Sequence, residues 1–271
     1  MSRIADRFAQ LKAAGRKGFV PFVTAGDPDR ATSLAIVREL AWCGADVIEL
    51  GVPFSDPMAD GPTIQASSQR ALAGGTRLAD VLEMVADFRK TDQTPIVLFS
   101  YLNPLLQYGF ERLVDKAAER GVDGILITDA IDDEAAAIGK ALNARGLDLI
   151  SLVAPTTSDA RLERICRAAS GFIYAVSRAG VTGAREAMTA DAERLVERAR
   201  QFTDLPVAVG FGISTAAQVE DVWRYADAAV VGSAIVAEIA SASAAGSDPV
   251  ERVGSCVRGL LPSVANAGAE I

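Results

Sequence analysis

Short apolar segments alternate with amphipathic segments along most of the chain. The apolar runs are rich in valine, isoleucine and leucine and are bounded by glycine, proline or aspartate, which is the pattern of buried strands. Strands are predicted over residues 18–24, 47–50, 95–100, 124–128, 147–153, 172–177, 206–209 and 228–231. Helices are predicted over residues 2–14, 30–42, 78–89, 111–120, 161–169, 191–202 and 249–261. Three more helices are predicted, one ending at Ala144 after an acidic turn at 129–134, one ending at Tyr225 and one beginning with G-S-A-I-V at 232–236. The segments 51–77 and 101–109 are predicted to be loops.

Eight strand-then-helix units with apolar strands predict an α/β fold, a single (β/α)8 TIM barrel with an extra N-terminal helix. The alternative is an open doubly wound sheet, but no G-x-G-x-x-G follows the first strand. No linker rich in proline, glycine and serine separates the units, so residues 1–271 are expected to form one domain. The small-residue tail at 263–271 is expected to fray.

One segment, D-V-I-E-L-G-V-P-F-S-D-P-M-A-D-G-P-T-I-Q at 46–65, combines a buried strand with a loop dense in turn formers. Prolines, aspartates and glycine at this density predict an ordered but irregular path. Glu49 is a carboxylate at the end of an otherwise apolar strand, and charged residues are rarely buried without a partner. It is either a structural acid paired with amides or an arginine, or a functional one.

Composition narrows the classes of function. The net charge of −8 argues against nucleic acid or an anionic membrane as a partner. Three cysteines without C-x-x-C spacing favour a reduced, cytoplasmic setting. The N-terminus lacks the apolar run of a signal peptide, and no apolar stretch approaches the roughly 20 residues that cross a bilayer.

The chain contains no histidine. This excludes a serine–histidine or cysteine–histidine nucleophile and makes a catalytic zinc site a poor fit, so no metal is expected. The five lysines lie before the first strand or in predicted helices, away from the strand ends where a Schiff-base lysine of a barrel enzyme would lie. Acid–base chemistry is therefore expected from carboxylates, with hydroxyl groups in support.

Glycine-rich turns follow the last three strands of the predicted barrel. Gly212 lies in G-F-G-I-S after the seventh strand, and Gly232 and Ser233 open the helix after the eighth. In barrels of this class these two loops commonly bind phosphate through backbone N–H groups and helix N-termini. Ser233 is expected to cap its helix or to bond an anion oxygen, and Thr182 and Gly183 in the long sixth loop could close over the same anion. The alternative is that these glycines are ordinary turn residues.

Two carboxylates face this expected phosphate site. Glu49 ends the second strand and Asp60 follows in the same loop, whereas Asp56, between Ser55 and Pro57, is expected to be a turn former. Two carboxyl groups in different environments can have different catalytic roles: one transfers protons while the other stays ionised. Five further residues fall at or near strand ends and would form an aromatic-sized pocket, although each could equally be barrel core: Phe22, Tyr101, Leu126, Tyr174 and Phe211.

Six motifs resemble those of the tryptophan synthase α subunit family, in order, with matching spacing and over nearly the whole chain. They are F-V-P-F-V-T-A-G-D-P-D (19–29), E-L-G-V-P-F-S-D-P-M-A-D-G-P-T-I-Q (49–65), Y-L-N-P-L-L-Q-Y-G (101–109), S-R-A-G-V-T-G-A-R (177–185), V-G-F-G-I-S (209–214) and V-V-G-S-A-I-V (230–236). The resemblance implies a lyase that cleaves indole-3-glycerol phosphate to indole and D-glyceraldehyde 3-phosphate. It also implies a β-subunit partner in an α2β2 heterotetramer, with pyridoxal phosphate in the β subunit and no cofactor in this chain.

The resemblance assigns roles residue by residue. Glu49 and Asp60 fall on the catalytic positions of the family. Gly183, Gly212, Gly232 and Ser233 fall on its phosphate-binding positions, and Phe22, Tyr101, Leu126, Tyr174, Thr182 and Phe211 on positions around the substrate. The loops at 53–61 and 178–190 resemble the two that close the site and meet the β subunit. The chain reads T-D-A-I at 128–131 where many relatives have P-D-L-P, which predicts a less constrained turn.

The residues at hand fit this chemistry. Aldol-type cleavage of a carbon–carbon bond needs an electron sink, and without a strand-end lysine or a histidine-held metal the sink must lie in the substrate. Indole supplies it once C3 is protonated. We expect Glu49 to protonate C3 and Asp60 to stabilise the charge at the ring nitrogen, with an apolar setting raising the pKa of Glu49 above its usual value near 4.3. The alternatives are a free-standing lyase of the same fold, a barrel that has lost turnover and acts as a regulatory subunit, and another phosphate-sugar enzyme such as an isomerase.

Overall fold

A computed structural model of the chain describes residues 2–176, 185–210 and 212–261. Eight parallel strands close into a barrel in sequence order, each pairing with the next and the eighth with the first. The strands are β1 Gly18–Thr24, β2 Ile48–Gly51, β3 Ile96–Ser100, β4 Gly124–Ile127, β5 Asp148–Val153, β6 Ile173–Val176, β7 Val207–Gly210 and β8 Ala228–Val231. The predicted TIM barrel is confirmed.

Helices surround the barrel, and one precedes it. They are α1 Arg3–Ala13, α2 Arg30–Trp42, α3 Pro62–Ala73, α4 Leu78–Arg89, α5 Leu102–Tyr108, α6 Phe110–Arg120, α7 Asp132–Asn143, α8 Asp159–Ala168, α9 Arg185–Ala199, α10 Ala216–Trp223, α11 Ser233–Ala245 and α12 Pro249–Leu260. Among the residues that the structure describes, no helix is long and apolar enough to cross a membrane. The tail predicted to fray, 263–271, lies outside the described residues.

The strands agree with their predicted bounds to within one residue, but two helices were missed. The segments predicted as loops contain α3 and α5. In both, a proline that resembles a helix breaker lies in the first turn of the helix, where backbone N–H groups have no intrahelical acceptor. Pro62 is the first residue of α3, after Gly61 at the N-cap, and Pro104 is the third residue of α5.

The starts of α7 and α9 differ most from prediction. The segment 129–134, assigned to a turn, partly belongs to α7, which begins at Asp132. Helix α9 begins at Arg185 instead of residue 191.

The turn after β4 is tied to its neighbour despite the departure at 128–131. The Thr128 N–H donates to the Ser100 carbonyl at 3.0 Å, and the Leu102 N–H donates to Asp129 Oδ1 at 2.7 Å. Ile131 is the N-cap of α7 with φ −132°, an extended value outside the range near about −65° that a proline ring allows.

Alternation along the strands sorts side chains between two cores. Outward residues such as Ile48 and Leu50 pack under the helices, and inward residues such as Val47 fill the barrel. Since successive side chains of a strand point to opposite faces, the residue after Ile48 points inward. That residue is Glu49, which therefore enters the barrel interior near its C-terminal end.

The N-terminal end of the barrel is closed by α1 and by paired carboxylates. Phe8 of α1 packs on Phe172 with ring centroids 5.7 Å apart. Asp46 accepts the Phe19 N–H at 2.7 Å and pairs with Arg7 of α1. Three further aspartates make similar contacts around the same end: Asp123 with the Ile96 N–H and Arg3, Asp148 with Ser2, and Asp227 with the Val207 N–H. These contacts tie α1 to the N-terminal end of the barrel, whereas Glu49 lies near the opposite end.

Candidate active site

A cavity opens at the C-terminal ends of the strands. Its lining comes from β1, β2, β3, β6 and β8, the segment between β2 and α3, the turn after β7 and the start of α11. The lining residues are Phe22, Glu49, Ala59, Asp60, Gly61, Ile64, Phe99, Tyr174, Gly212, Ile213, Val230, Gly232 and Ser233. Most are apolar or aromatic, with two carboxylates among them, as is usual for sites that bind a small molecule.

Glu49 lies at the base of this cavity in an apolar setting. It is 1% exposed, and within the described part of the chain its Oε1 atom has no hydrogen-bond partner. Phe22 and Phe99, which also line the cavity, pack edge to face with ring centroids 5.3 Å apart. Burial raises the pKa of Glu49 from about 4.5 to about 8, because no nearby group compensates for the loss of water around the charged form. The carboxyl is therefore protonated at neutral pH.

Asp60 reaches the cavity from the segment 53–61. Its backbone N–H donates to the Pro57 carbonyl at 3.1 Å, and its carbonyl accepts from the Gln65 side chain at 2.9 Å. Burial raises the pKa of Asp60 to about 6, and interaction with the Tyr101 hydroxyl partly opposes this rise. At neutral pH this carboxyl is mostly ionised.

Asp56, in the same segment, does not line the cavity. It is exposed, and its carboxylate accepts from the adjacent Ser55 hydroxyl. Its own carbonyl accepts the Met58 N–H at 2.9 Å, which closes a tight turn. This placement agrees with the turn-forming role expected for it.

Two glycines make room for the aromatic walls. A Cβ atom on Gly51 would lie 2.6 Å from the Phe22 ring, and one on Gly210 would lie 2.2 Å from the Tyr174 hydroxyl. Both distances are too short for real atoms, so a side chain at either position would displace an aromatic residue of the cavity. Tyr174 is buried, and the charge of Glu49 contributes to raising its pKa, which places the hydroxyl near that carboxyl.

The turns after β7 and β8 offer backbone groups to an anion. Gly212 has φ +73°, a left-handed value that favours glycine. Helix α11 begins at Ser233 with Gly232 at its N-cap, so of the two roles considered for Ser233 the structure excludes capping, and bonding to an anion oxygen stays a prediction. A helix N-terminus carries unpaired N–H groups and partial positive charge, which suits a phosphate.

Most of the predicted site residues meet in this cavity. Those that line it are Phe22, Glu49, Asp60, Tyr174, Gly212, Gly232 and Ser233. Leu126 and Tyr101 are buried but are absent from the described lining: Leu126 lies in the inner core of the barrel, and Tyr101 lies against the segment 53–61. Thr182, Gly183 and Phe211 lie outside the described residues.

Several lining residues were not predicted. Phe99 and Val230 could have been found from strand alternation, because each lies two positions after an inward apolar residue of its own strand. Those inward residues are Val97 in β3 and Ala228 in β8. Ile64 could not have been found, because its place depends on α3, which was predicted to be a loop. Among the described residues, no group of three or more acidic, cysteine or histidine side chains is arranged to hold a metal.

The cavity thus holds two carboxyl groups with opposite protonation at neutral pH. Glu49 can donate a proton, and Asp60 can stabilise positive charge or accept a hydrogen bond. The aromatic walls suit a flat apolar ring, and the α11 N-terminus suits an anion. A substrate with both parts, cleaved by proton transfer, fits this arrangement.

Comparisons with known proteins point to one family. A family model described as "Tryptophan synthase alpha chain" matches residues 8–261. The tryptophan synthase alpha chain of Caulobacter vibrioides is 54% identical over 252 residues, covering 93% of this chain and 92% of that protein. The one from Citrifermentans bemidjiense is 52% identical over 264 residues, covering 97% and 98%.

Solved structures agree. A crystal structure of the tryptophan synthase alpha chain from Legionella pneumophila superposes with a TM-score of 0.90 at 38% identity, covering 100% of both chains. A chain in the aminoacrylate-bound tryptophan synthase from M. tuberculosis superposes with a TM-score of 0.85 at 33% identity, covering 96% of this chain and 98% of that one.

We predict that Glu49→Gln makes the stability of the fold less sensitive to rising pH. The pKa of Glu49 is raised on folding, so the folded state loses stability as pH rises from about 4.5 to about 8. The free energy of unfolding is measured with urea at about pH 5 and about pH 8. From the lower to the higher pH, the free energy of unfolding of the variant relative to that of wild type should rise by more than about 1 kcal/mol. Glu163→Gln, at an exposed ion pair with Arg167, is the control and should show no such trend. A difference between Glu49→Gln and wild type that is constant with pH would contradict the raised pKa.

Proposed function

We propose that Glu49 and Asp60 carry the chemistry of this chain, which belongs to the tryptophan synthase alpha chain family. The chain is a lyase that cleaves indole-3-glycerol phosphate to indole and D-glyceraldehyde 3-phosphate, and its indole serves the beta subunit for synthesis of L-tryptophan. In this family the alpha chain carries no cofactor, and pyridoxal phosphate belongs to the beta subunit.

The observation that carries the proposal is the buried carboxyl of Glu49 in an aromatic cavity, where its Oε1 atom has no hydrogen-bond partner among the described residues. Glu49 donates its proton to C3 of the indole ring, and the ring becomes a cationic indolenine. The bond between C3 and the glycerol side chain then breaks, and its electron pair returns to the ring. The side-chain hydroxyl becomes the aldehyde as it gives its proton to the Glu49 carboxylate, so Glu49 ends the cycle protonated.

Asp60 stabilises the charge that this step creates. As an ionised carboxylate it accepts a hydrogen bond from the ring N–H, whose positive charge grows when C3 is protonated. The two acids thus act at different atoms of the same ring. Their different pKa values support this division, since the acid that must donate is the one more strongly buried.

The phosphate of the substrate is proposed to bind at the start of α11. The binding residues are Gly212, Gly232 and Ser233, together with Gly183 outside the described residues. Phe22 and Tyr174 are proposed to hold the indole ring, with Phe99 and Ile64 completing the apolar walls. The family resemblance extends the substrate pocket to Leu126, Thr182 and Phe211, and it places Tyr101 near the substrate.

Membership of the family implies a beta-subunit partner, and we propose that it docks on the rim of the cavity. Three exposed apolar side chains lie on the successive connections after β2, β3 and β4: Met58 at 92% exposure, Leu106 at 54% and Ile131 at 55%. Exposed apolar side chains at one rim favour a protein partner. Indole made in the cavity leaves by this end of the barrel, so a partner that consumes it gains from binding there.

We further propose an α2β2 heterotetramer in the cytoplasm and a single-domain chain. Family membership supports the first two, and three free cysteines accord with a reduced compartment. Membership of all eight strands in one closed barrel supports one domain.

We predict that Glu49→Gln lowers indole release from indole-3-glycerol phosphate by at least about a thousandfold while substrate binding changes little, because the amide keeps the shape of the side chain but cannot exchange a proton. Turnover is measured as indole released by the chain alone, and binding by calorimetry. Asp56→Asn, an exposed acid of the same segment outside the cavity, is the matched control and should retain full activity. Glu49→Gln turnover above a tenth of wild type would rule out the proposed role.

We predict that Leu106→Asp combined with Ile131→Asp weakens beta-subunit binding by at least about tenfold, since each change places a charge in the proposed apolar contact. Indole release by the chain alone should be unchanged. A higher concentration of beta subunit should be needed to produce the same increase in indole release. Trp42→Asp is the control, because Trp42 is 84% exposed but ends α2 at the opposite end of the barrel.

Sedimentation of the wild-type mixture tests the stoichiometry, with two copies of each chain expected. Full partner affinity in the double variant would place the interface elsewhere. Fast indole release that ignores the beta subunit would instead favour a free-standing lyase.

A further inference from the structure

Tyr101 contacts the segment that carries Asp60 instead of lining the cavity. It follows β3 directly and is 6% exposed. Its hydroxyl oxygen accepts the backbone N–H of Ala59 at 2.9 Å, one residue before Asp60. Its ring packs on Phe54 with centroids 5.2 Å apart. One side chain therefore touches the segment 53–61 near both of its ends.

The other hydrogen bonds of this segment do not tie it to a neighbouring strand's loop. Among the described residues, the Asp60 N–H donates to Pro57 within the segment, and the Gln65 side chain of α3 donates to Pro57 and Asp60 carbonyls. Helix α3 continues directly from the segment, so these bonds shape the segment without fixing it against the barrel. Among the described residues, the hydrogen bond from the Ala59 N–H to the Tyr101 hydroxyl fixes the segment against the barrel.

Tyr101 is itself held firmly. It is the N-cap residue of α5, and the first N–H of that helix, from Leu102, donates to Asp129 Oδ1 at 2.7 Å. The Ser100 hydroxyl donates to the Tyr101 carbonyl at 2.9 Å. A series of hydrogen bonds thus joins Asp129 after β4, Tyr101 after β3 and Ala59 after β2, and it ends beside Asp60.

We propose that Tyr101 is a positioning residue that sets Asp60 over the cavity: its hydroxyl holds the Ala59 N–H and lies beside the Asp60 carboxyl, and it does not itself bind the substrate. The inference rests on the proposed role of Asp60. It differs from a place in the substrate pocket, because a pocket residue would change substrate affinity, whereas a residue that positions Asp60 changes the chemical step.

The pH dependence of the reaction offers a readout of this link. The Tyr101 hydroxyl opposes the burial that raises the pKa of Asp60. The other titratable groups that line the described cavity with Asp60 are Glu49 from β2 and Tyr174 from β6, and Asp129 acts on Tyr101 from the loop after β4. Loss of the Tyr101 hydroxyl should therefore move the acid limb of kcat/KM to higher pH and leave the alkaline limb, governed by Glu49, in place.

The test is Tyr101→Phe, which keeps the ring against Phe54 and removes only the hydroxyl. Tyr225→Phe is the control, because Tyr225 follows α10 at the other end of the barrel. In Tyr101→Phe we expect kcat to fall about threefold to tenfold with KM within about twofold of wild type, in line with the loss of one hydrogen bond. We also expect amide hydrogen exchange in a peptide covering 53–61 to speed up at short labelling times, without change in the control.

Asp129→Ala is the second variant, and it keeps the inference testable if Tyr101→Phe does not fold. It removes the acceptor at the start of α5 and should speed exchange in 53–61 by a smaller factor. Unchanged exchange in this segment in both variants, or a raised KM with unchanged kcat in Tyr101→Phe, would overturn the positioning role. Absence of indole release from wild type and from Tyr225→Phe would instead remove the lyase assignment of the site, while the exchange data would still report whether Tyr101 holds the segment.

Discussion

The proposed chemistry of this chain depends on one buried carboxyl group, whose Oε1 atom has no hydrogen-bond partner among the described residues. Glu49 points into the barrel between aromatic side chains, and burial alone raises its pKa to about 8. An acid in that state can deliver a proton to carbon at neutral pH, which an exposed glutamate, with its pKa near 4.3, cannot do efficiently. The glycines Gly51 and Gly210 belong to the same arrangement, because they make room for the aromatic residues around that carboxyl.

Buried carboxyl groups at the two ends of the barrel lie in different surroundings. At the N-terminal end, Asp46 and Asp123 are buried but each is paired with an arginine of α1 and with a backbone N–H. Paired in this way, a buried carboxylate is a structural element. Glu49, at the other end, has no such ion pair among the described residues, and its Oε1 atom has no hydrogen-bond partner there. The contrast separates the acids that hold the fold from the acid proposed to perform the reaction.

Much of this could be predicted from the residues themselves, and the failures have physical causes. Strand bounds and the inward direction of Glu49 follow from local apolar patterning, which is strong in a parallel barrel. Helices α3 and α5 were missed because a proline in the first turn of a helix resembles a loop signal in a sequence. The capping of α11 by Gly232 depends on backbone angles that residue types do not specify. The contact of Tyr101 with Ala59 joins residues from separate strands, and only the closed barrel shows that they meet.

The most direct test of this account is the pKa of Glu49, measured by carbon NMR of side-chain-labelled glutamate in the wild-type chain, with Glu49→Gln used to assign the signal. The Glu49 carboxyl is expected to titrate near pH 8, well separated from the exposed glutamates. A value near 4.5 would show that the carboxyl is ionised at neutral pH, and the role of Glu49 as the proton donor to the indole ring would then be untenable.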